Sequence, residues 1–182
     1  MRTLKAIIFD MDGVMVDSEF VYMKYLLEFA KEKNPAVTME DINQMVGRSR
    51  QDSWTVMERA VNNGETWETL IKEWAERDIY SRIDYRKIFR PEMKTTVQEL
   101  KRRGYTVALV SSTGPKLISR IVEEVGMRPE FDLIVSGKQF KQSKPNPEIY
   151  HYTADTLGIR EDECFVVEDS TVGIEAAYRA GM

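Results

Sequence analysis

Four short apolar runs stand out along the chain, each bounded by turn or charge signals: Leu4 to Phe9, Thr106 to Val110, Leu133 to Val135 and Cys164 to Val167. β-Branched residues are frequent in them, and polar alternation is weak. That is the pattern of strands in a parallel sheet covered on both faces. Between the later runs the apolar spacing changes to a helical period, over about 91–103, 115–125, 147–158 and 171–180. Each helical stretch stops near a glycine (Gly104, Gly126, Gly158, Gly181), the usual C-terminal signal. Strand and helix in alternation imply right-handed crossovers and an α/β fold, a Rossmann-like doubly wound parallel sheet.

Residues 19 to 88 break that rhythm. No strand-like run occurs there, and helix formers and aromatics dominate. Phe20, Met23, Leu27 and Ala30 fall on one helical face. Further helices are expected over about 38–46, 50–62 and 65–83. The reading is an α-helical domain inserted after the first strand. Residues 1–17 and 90–182 then form the α/β core, and 18–89 the insert. The chain stops at Ala180-Gly181-Met182, just after a helix, where another strand would ordinarily follow. The core is therefore expected to lack its last strand, with a sheet edge uncovered.

Composition adds limits. The 182 residues carry a formal net charge of -4 and no basic run, which argues against nucleic acid as a partner. No stretch is long and apolar enough for a membrane span, and a cytoplasmic location is expected. The single cysteine, Cys164, sits in an apolar run and reads as a core filler. The single histidine, His151, lies in an amphipathic helical stretch and reads as a surface residue. Together they supply too few ligands for zinc, and no nucleophile elbow accompanies them.

The polar residues worth attention fall at the strand ends, where α/β sheets bind ligands. The first strand ends in Asp10 and Asp12, the second in Ser111-Ser112-Thr113-Gly114, and the last in Glu168-Asp169-Ser170; a loop carries Lys144-Pro145-Asn146-Pro147. Taken singly, these are ordinary turn and helix-cap sequences. In conjunction they place up to four carboxylates at one sheet edge. Like charges so close raise one another's pKa unless a cation intervenes. A hard divalent cation such as Mg²⁺, which uses few carboxylates and keeps room for a phosphate, answers that conflict. Lys144 would neutralise further charge, and Ser111 would donate to a phosphoryl oxygen.

These residues resemble the signature of the haloacid dehalogenase superfamily, in the branch with a helical cap inserted after the first strand. Asp10-Met11-Asp12-Gly13-Val14 is similar to its first motif, Ser111 to its second, Lys144 to its third and Glu168-Asp169 to its fourth. Asp17-Ser18-Glu19, Gly47-Arg48-Ser49-Arg50 and Val167-Glu168-Asp169-Ser170 resemble the β-phosphoglucomutase and sugar-phosphatase-like subgroup. The resemblance implies that Asp10 is a nucleophile forming an aspartyl-phosphate, and that Asp12 is the general acid and base. Mg²⁺ would be held by Asp10, the backbone carbonyl of Asp12, and Asp169, with Glu168 nearby. Ser111, Ser112 and Lys144 would hold the phosphoryl group, Arg50 on the cap would grip the substrate, and Asp17 and Ser18 would form the hinge.

The expected activity is hydrolysis of a small phosphorylated metabolite such as a sugar phosphate, by a monomer. The alternative is a β-phosphoglucomutase, and a more remote one is a non-catalytic metabolite-binding module. The sequence departs from the mutase pattern twice: Tyr22 stands where a histidine is expected, and an ungapped placement puts Trp74 at a basic cap position, with Lys72 close by. Trp54, Trp67 and Trp74 read as core aromatics rather than sugar platforms.

Overall fold

A computed structural model describes residues 3–182. The described residues cluster into two compact units, one containing the chain up to Ser18 together with Asp84–Met182, the other Glu19–Ile83.

The first unit is built on a four-stranded sheet: β1 (Ala6–Asp10), β2 (Thr106–Ser111), β3 (Leu133–Ser136) and β4 (Cys164–Val167), ordered β3-β2-β1-β4. All three pairings are parallel. Ile8 lies opposite Ala108 on one side and Val166 on the other. Every residue of β1 is buried, as its uninterrupted apolar run implies. Ala6, Ile8, Ala108 and Val110 face a cluster that includes Ile149, Tyr150 and Ala154 of α9 (Glu148–Leu157) and Ala176 of α10 (Thr171–Arg179). The alternate residues Ile7, Phe9, Val107 and Leu109 are buried on the other face. On the described strands Phe165, on the edge strand β4, is the one exposed position at 56%, and residues such as Leu133, Ile134, Val166 and Val167 are half-buried.

The remaining helices of this unit are α6 (Tyr85–Ile88), α7 (Glu92–Arg102) and α8 (Pro115–Glu124). Two crossing segments pair close to the sheet. Asp17 N donates to Ile88 O at 2.9 Å and Arg90 N to Met15 O at 3.0 Å, so the chain leaves and re-enters this unit side by side.

The second unit is all helix: α1 (Ser18–Lys33, its first residue belonging to the first unit), α2 (Met39–Asn43), α3 (Arg50–Val61), α4 (Trp67–Ala75) and α5 (Ile79–Arg82). Its core holds Phe29, Ile42, Trp54, Met57, Leu70 and Trp74, with Trp67 partly buried against it. The expected helix over 38–46 is shorter, because after Asn43 the backbone tightens into three-residue turns ahead of Gly47. The expected helix over 65–83 is broken. Asp78 takes a left-handed conformation (φ 40°) between α4 and α5. No Gly or Pro announces the break, but aspartate is among the residues that tolerate it. Arg77, just before it, forks onto Glu32 at 2.9 and 2.7 Å, which ties that turn to α1.

Candidate active site

The strand order reverses direction at β1. From β1 the chain moves outward to β2 and β3, then returns to β4 on the other flank. The carboxyl ends of β1 and β4 therefore border the crevice in which doubly wound sheets bind ligands. Asp10 is the last residue of β1, and Glu168 and Asp169 directly follow β4.

Asp10 is buried, with 6% of its surface exposed. Lys144 Nζ donates to its Oδ1 at 2.6 Å and to Glu168 Oε2 at 2.6 Å. One ammonium thus bridges two strand ends. Burial acts most strongly on the Asp10 carboxyl and, despite the attraction of Lys144, raises it to about 7, with the charges of Glu168 and Asp12 adding to the rise. Burial also works against the Lys144 charge, but its carboxylate partners outweigh that and hold it well above the ordinary lysine value. Glu168 is pushed up by burial and pulled down further by the donors around it, so it lies below the usual carboxylate range. Those donors are Lys144 first and then Ser170, whose Oγ at 2.6 Å and N at 3.2 Å both reach Oε1; Tyr150 Oη also donates to Oε2, at 3.1 Å.

Asp169 is drawn into the site by a glycine. A Cβ on Gly13 would stand 1.8 Å from Asp169 Oδ2, and Gly13 also has φ 79°. Both facts require glycine there. Gly173 does the same for Glu168, whose carboxylate would meet a Cβ at 2.0–2.4 Å. Burial, followed by the neighbouring Glu168 and Asp12, raises the pKa of Asp169. Asp10, Glu168 and Asp169 each offer a carboxylate oxygen within 4.8 Å of the others.

Asp12 faces elsewhere. Ser18 Oγ donates to its Oδ1 at 2.6 Å, and Ser111 Oγ and Thr113 Oγ1 donate to its Oδ2 at 3.1 and 3.0 Å. Three hydroxyls from two segments fix one carboxylate. Ser111 Oγ also accepts from Thr113 N at 3.0 Å, and Ser136 Oγ donates to Thr113 O at 2.6 Å, which buttresses the loop. Ser112 is exposed next to this cluster, and Asp17 is exposed ahead of α1.

The structure thus gathers Asp10, Lys144, Glu168 and Asp169 into one cluster and Asp12, Ser18 and Ser111 into a second, with the Asp12 charge acting on Asp10 and Asp169. Two members were not singled out from sequence. Thr113 hides in a Ser-Ser-Thr-Gly stretch that reads as a cap; Gly114 is the actual N-cap of α8, without a side-chain bond. Tyr150 reads as one more apolar helix position, and the signal it gave was its place six residues after Lys144.

Arg50 and Tyr22 belong to the helical unit, where they share a cavity of about 280 Å³ with Met23, Leu26 and Met45. Tyr22 Oη accepts from Trp74 Nε1 at 3.0 Å, and burial raises the pKa of that hydroxyl despite Trp74 and Arg50. Trp74 is core, and Lys72 is exposed. Cys164 is buried and its thiol is pushed up to about 11, first by burial and then by nearby acids, so it stays protonated. His151 is partly exposed and sits 3.0 Å from Glu161. Among the described residues no helix is long and apolar enough to cross a membrane.

A family model for haloacid dehalogenase-like hydrolases matches residues 7–182. A Bacillus subtilis protein provisionally named a phosphatase is 29% identical over 180 residues, covering 98% of this chain and 81% of the relative. A Thermotoga maritima phosphatase of phosphorylated carbohydrates is 26% identical over 181 residues, covering 98% and 82%. A Thermotoga maritima crystal structure provisionally named a β-phosphoglucomutase superposes with a TM-score of 0.79 at 26% identity, covering 98% of this chain and 82% of that one. The chain belongs to the haloacid dehalogenase superfamily and is an enzyme of its phosphatase and β-phosphoglucomutase-like branch.

Proposed function

We propose that the protein is a Mg²⁺-dependent phosphatase that hydrolyses a small phosphorylated metabolite through an aspartyl-phosphate on Asp10. The observation that carries this reading is the division of labour between two aspartates two residues apart. Asp10 sits among charged groups, with Lys144 and the carboxylates of Glu168 and Asp169 around it. Asp12 sits among hydroxyls.

An all-oxygen set suits a hard cation, and the space that Gly13 leaves for Asp169 is what such a site needs. Asp10, Asp169 and the backbone carbonyl of Asp12 would hold the ion, with Glu168 nearby. Once bound, Mg²⁺ supplies charge neutralisation, so that an anionic phosphoryl group can approach an anionic nucleophile. The Asp10 carboxylate then attacks phosphorus, and the bond to the leaving oxygen breaks as Asp12 hands that oxygen a proton. In the second half Asp12 takes a proton from water, which attacks phosphorus and frees Asp10. Lys144, Ser111 and Ser112 hold the phosphoryl oxygens. For this to happen Lys144 exchanges part of its contact with Asp10 for one with substrate, keeping Glu168 as its anchor. The helical unit is assigned the part of a cap, with Arg50 as a substrate-binding group and the Asp17–Ser18 segment as hinge.

The phosphatase names of relatives support this over a mutase. So does the helical unit: Tyr22 is a neutral hydroxyl held by Trp74, and Trp74 is a core aromatic with no basic group. The mutase reading draws its support from the fold of the Thermotoga maritima structure. Phosphate release from a panel of phosphorylated metabolites with Mg²⁺, blanked by Asp10→Asn, tests the proposal. Efficient conversion of β-glucose 1-phosphate to glucose 6-phosphate, primed by glucose 1,6-bisphosphate and with little phosphate released, would favour the mutase.

A further inference from the structure

A cavity of about 200 Å³ opens in the α/β unit, bounded by Ser112, Lys138, Phe140, Lys141, Lys144 and Ile149. Ser112 and Lys144 tie it to the network around Asp10. Lys138 and Lys141 differ from Lys144 in one respect. Lys144 is neutralised by two carboxylates, whereas neither Lys138 nor Lys141 has a carboxylate partner among the described residues. No acidic side chain lines the cavity, and Phe140 and Ile149 give it an apolar wall.

The placement of these lysines is built into the backbone. A Cβ on Gly137 would come within 3.3 Å of Ser112 Cα and 3.4 Å of Ser111 O. The loop after β3 is therefore pressed against the end of β2, and only a residue without a side chain fits that approach comfortably. Ser136, one residue earlier, bonds Thr113 O at 2.6 Å. Lys138 follows directly, so its backbone is held at the edge of the catalytic network rather than on a detached loop.

We infer that this cavity is a second anion subsite, which takes a carboxylate or second phosphate of the substrate while the scissile phosphoryl group lies at Asp10. The inference rests on the phosphoryl-transfer reading above and narrows it: the preferred substrate carries two anionic groups. Two uncompensated ammonium groups beside an apolar wall attract such a group, and a neutral hydroxyl gains little from them. Exposed ion pairs are individually weak, so two lysines together should change affinity by about 5–20-fold.

Hydrolysis-proof phosphonates test this without turnover. Isothermal titration of the full chain with Mg²⁺ would compare phosphonopropionate, propylene-bisphosphonate and propylphosphonate. The expected result is binding of at least one of the two-anion ligands about 5–20-fold tighter than propylphosphonate, with that preference largely erased in Lys138→Ala/Lys141→Ala. Which of the two is preferred distinguishes a carboxylate from a phosphate. Equal binding of all three by the wild type, or a preference that survives in the double variant, overturns the subsite. A parallel phosphate-release assay on phosphoglycolate and p-nitrophenyl phosphate reads the other claim. No turnover of either, nor of the wider metabolite panel, would defeat the phosphatase reading while the titrations still judge the subsite.

Discussion

Replacing Asp10 by asparagine should stabilise the metal-free protein at neutral pH while removing turnover. The carboxyl is buried and raised from 3.8 to about 7, first by burial and then by Glu168 and Asp12, even with Lys144 beside it. A raised folded-state pKa means that the folded chain holds this proton more tightly than the unfolded one. Folding therefore disfavours the ionised form. Below about pH 3 both states are protonated and the group costs nothing. Between about pH 3 and 7 the cost grows, and above 7 it is constant. One pKa unit corresponds to about 1.4 kcal/mol, so a gap of about three units sets an upper bound near 4 kcal/mol, and relaxation of the site brings this to about 2–3 kcal/mol. For a chain of this length that is roughly 4–12 °C in Tm. Glu168, with its lowered pKa, acts in the opposite sense and loses stability as pH falls. Comparing variant with wild type at each pH cancels the part of that dependence which Asp10 does not itself alter through Lys144. Thermal unfolding in EDTA from pH 4.5 to 8 should show a Tm difference smallest at the acid end, about a quarter of its full size there, rising toward pH 7 and flat above. Excess Mg²⁺ should raise the wild type and shrink the difference. A variant less stable than wild type at pH 8, or a difference independent of pH, would refute the reasoning.

Gly13→Ala should raise the Mg²⁺ concentration needed for half-maximal activity at least about 10-fold, because its Cβ displaces Asp169; activity titrated against Mg²⁺ checks this. Tyr150→Phe keeps the ring and removes the hydroxyl on Glu168, and should cost about 1 kcal/mol in denaturant unfolding. Thr113→Val removes one of three hydroxyls on Asp12 and should lower kcat by about 3–10-fold with KM little changed, as steady-state kinetics would show.

The sheet was readable because its signals are local. An unbroken apolar run such as Ala6–Phe9 can be little else when charges bound it, and the sequence places all four strands within two residues of their ends. The acids at β1 and β4 were readable for a related reason. Strand ends in an α/β chain converge by topology, so carboxylates at residues 10 and 168 become neighbours once the strand order is known. Helix ends in the other unit were less legible. The break at Asp78 depends on Arg77 reaching Glu32 across 45 positions, and no local pattern encodes that. Likewise, the hydroxyls of Ser18, Ser111 and Thr113 converge on Asp12, an arrangement that no local pattern announces. Side-chain direction at the end of a strand is set by the neighbouring segments, which only the fold supplies. The roles of Gly13 and Gly173 emerged for the same reason: each is small because a carboxylate from elsewhere stands where its Cβ would be.

The central claim is that Asp10 carries the phosphoryl group. Acid quench during turnover of the best substrate in the panel, followed by borohydride reduction and peptide mass spectrometry, tests it most directly. An acyl phosphate on Asp10 is reduced to homoserine, so the account predicts homoserine at position 10 in a Mg²⁺-dependent yield and none in an unreacted control. Sustained turnover with no modification at position 10, or with the label on another residue, would contradict it.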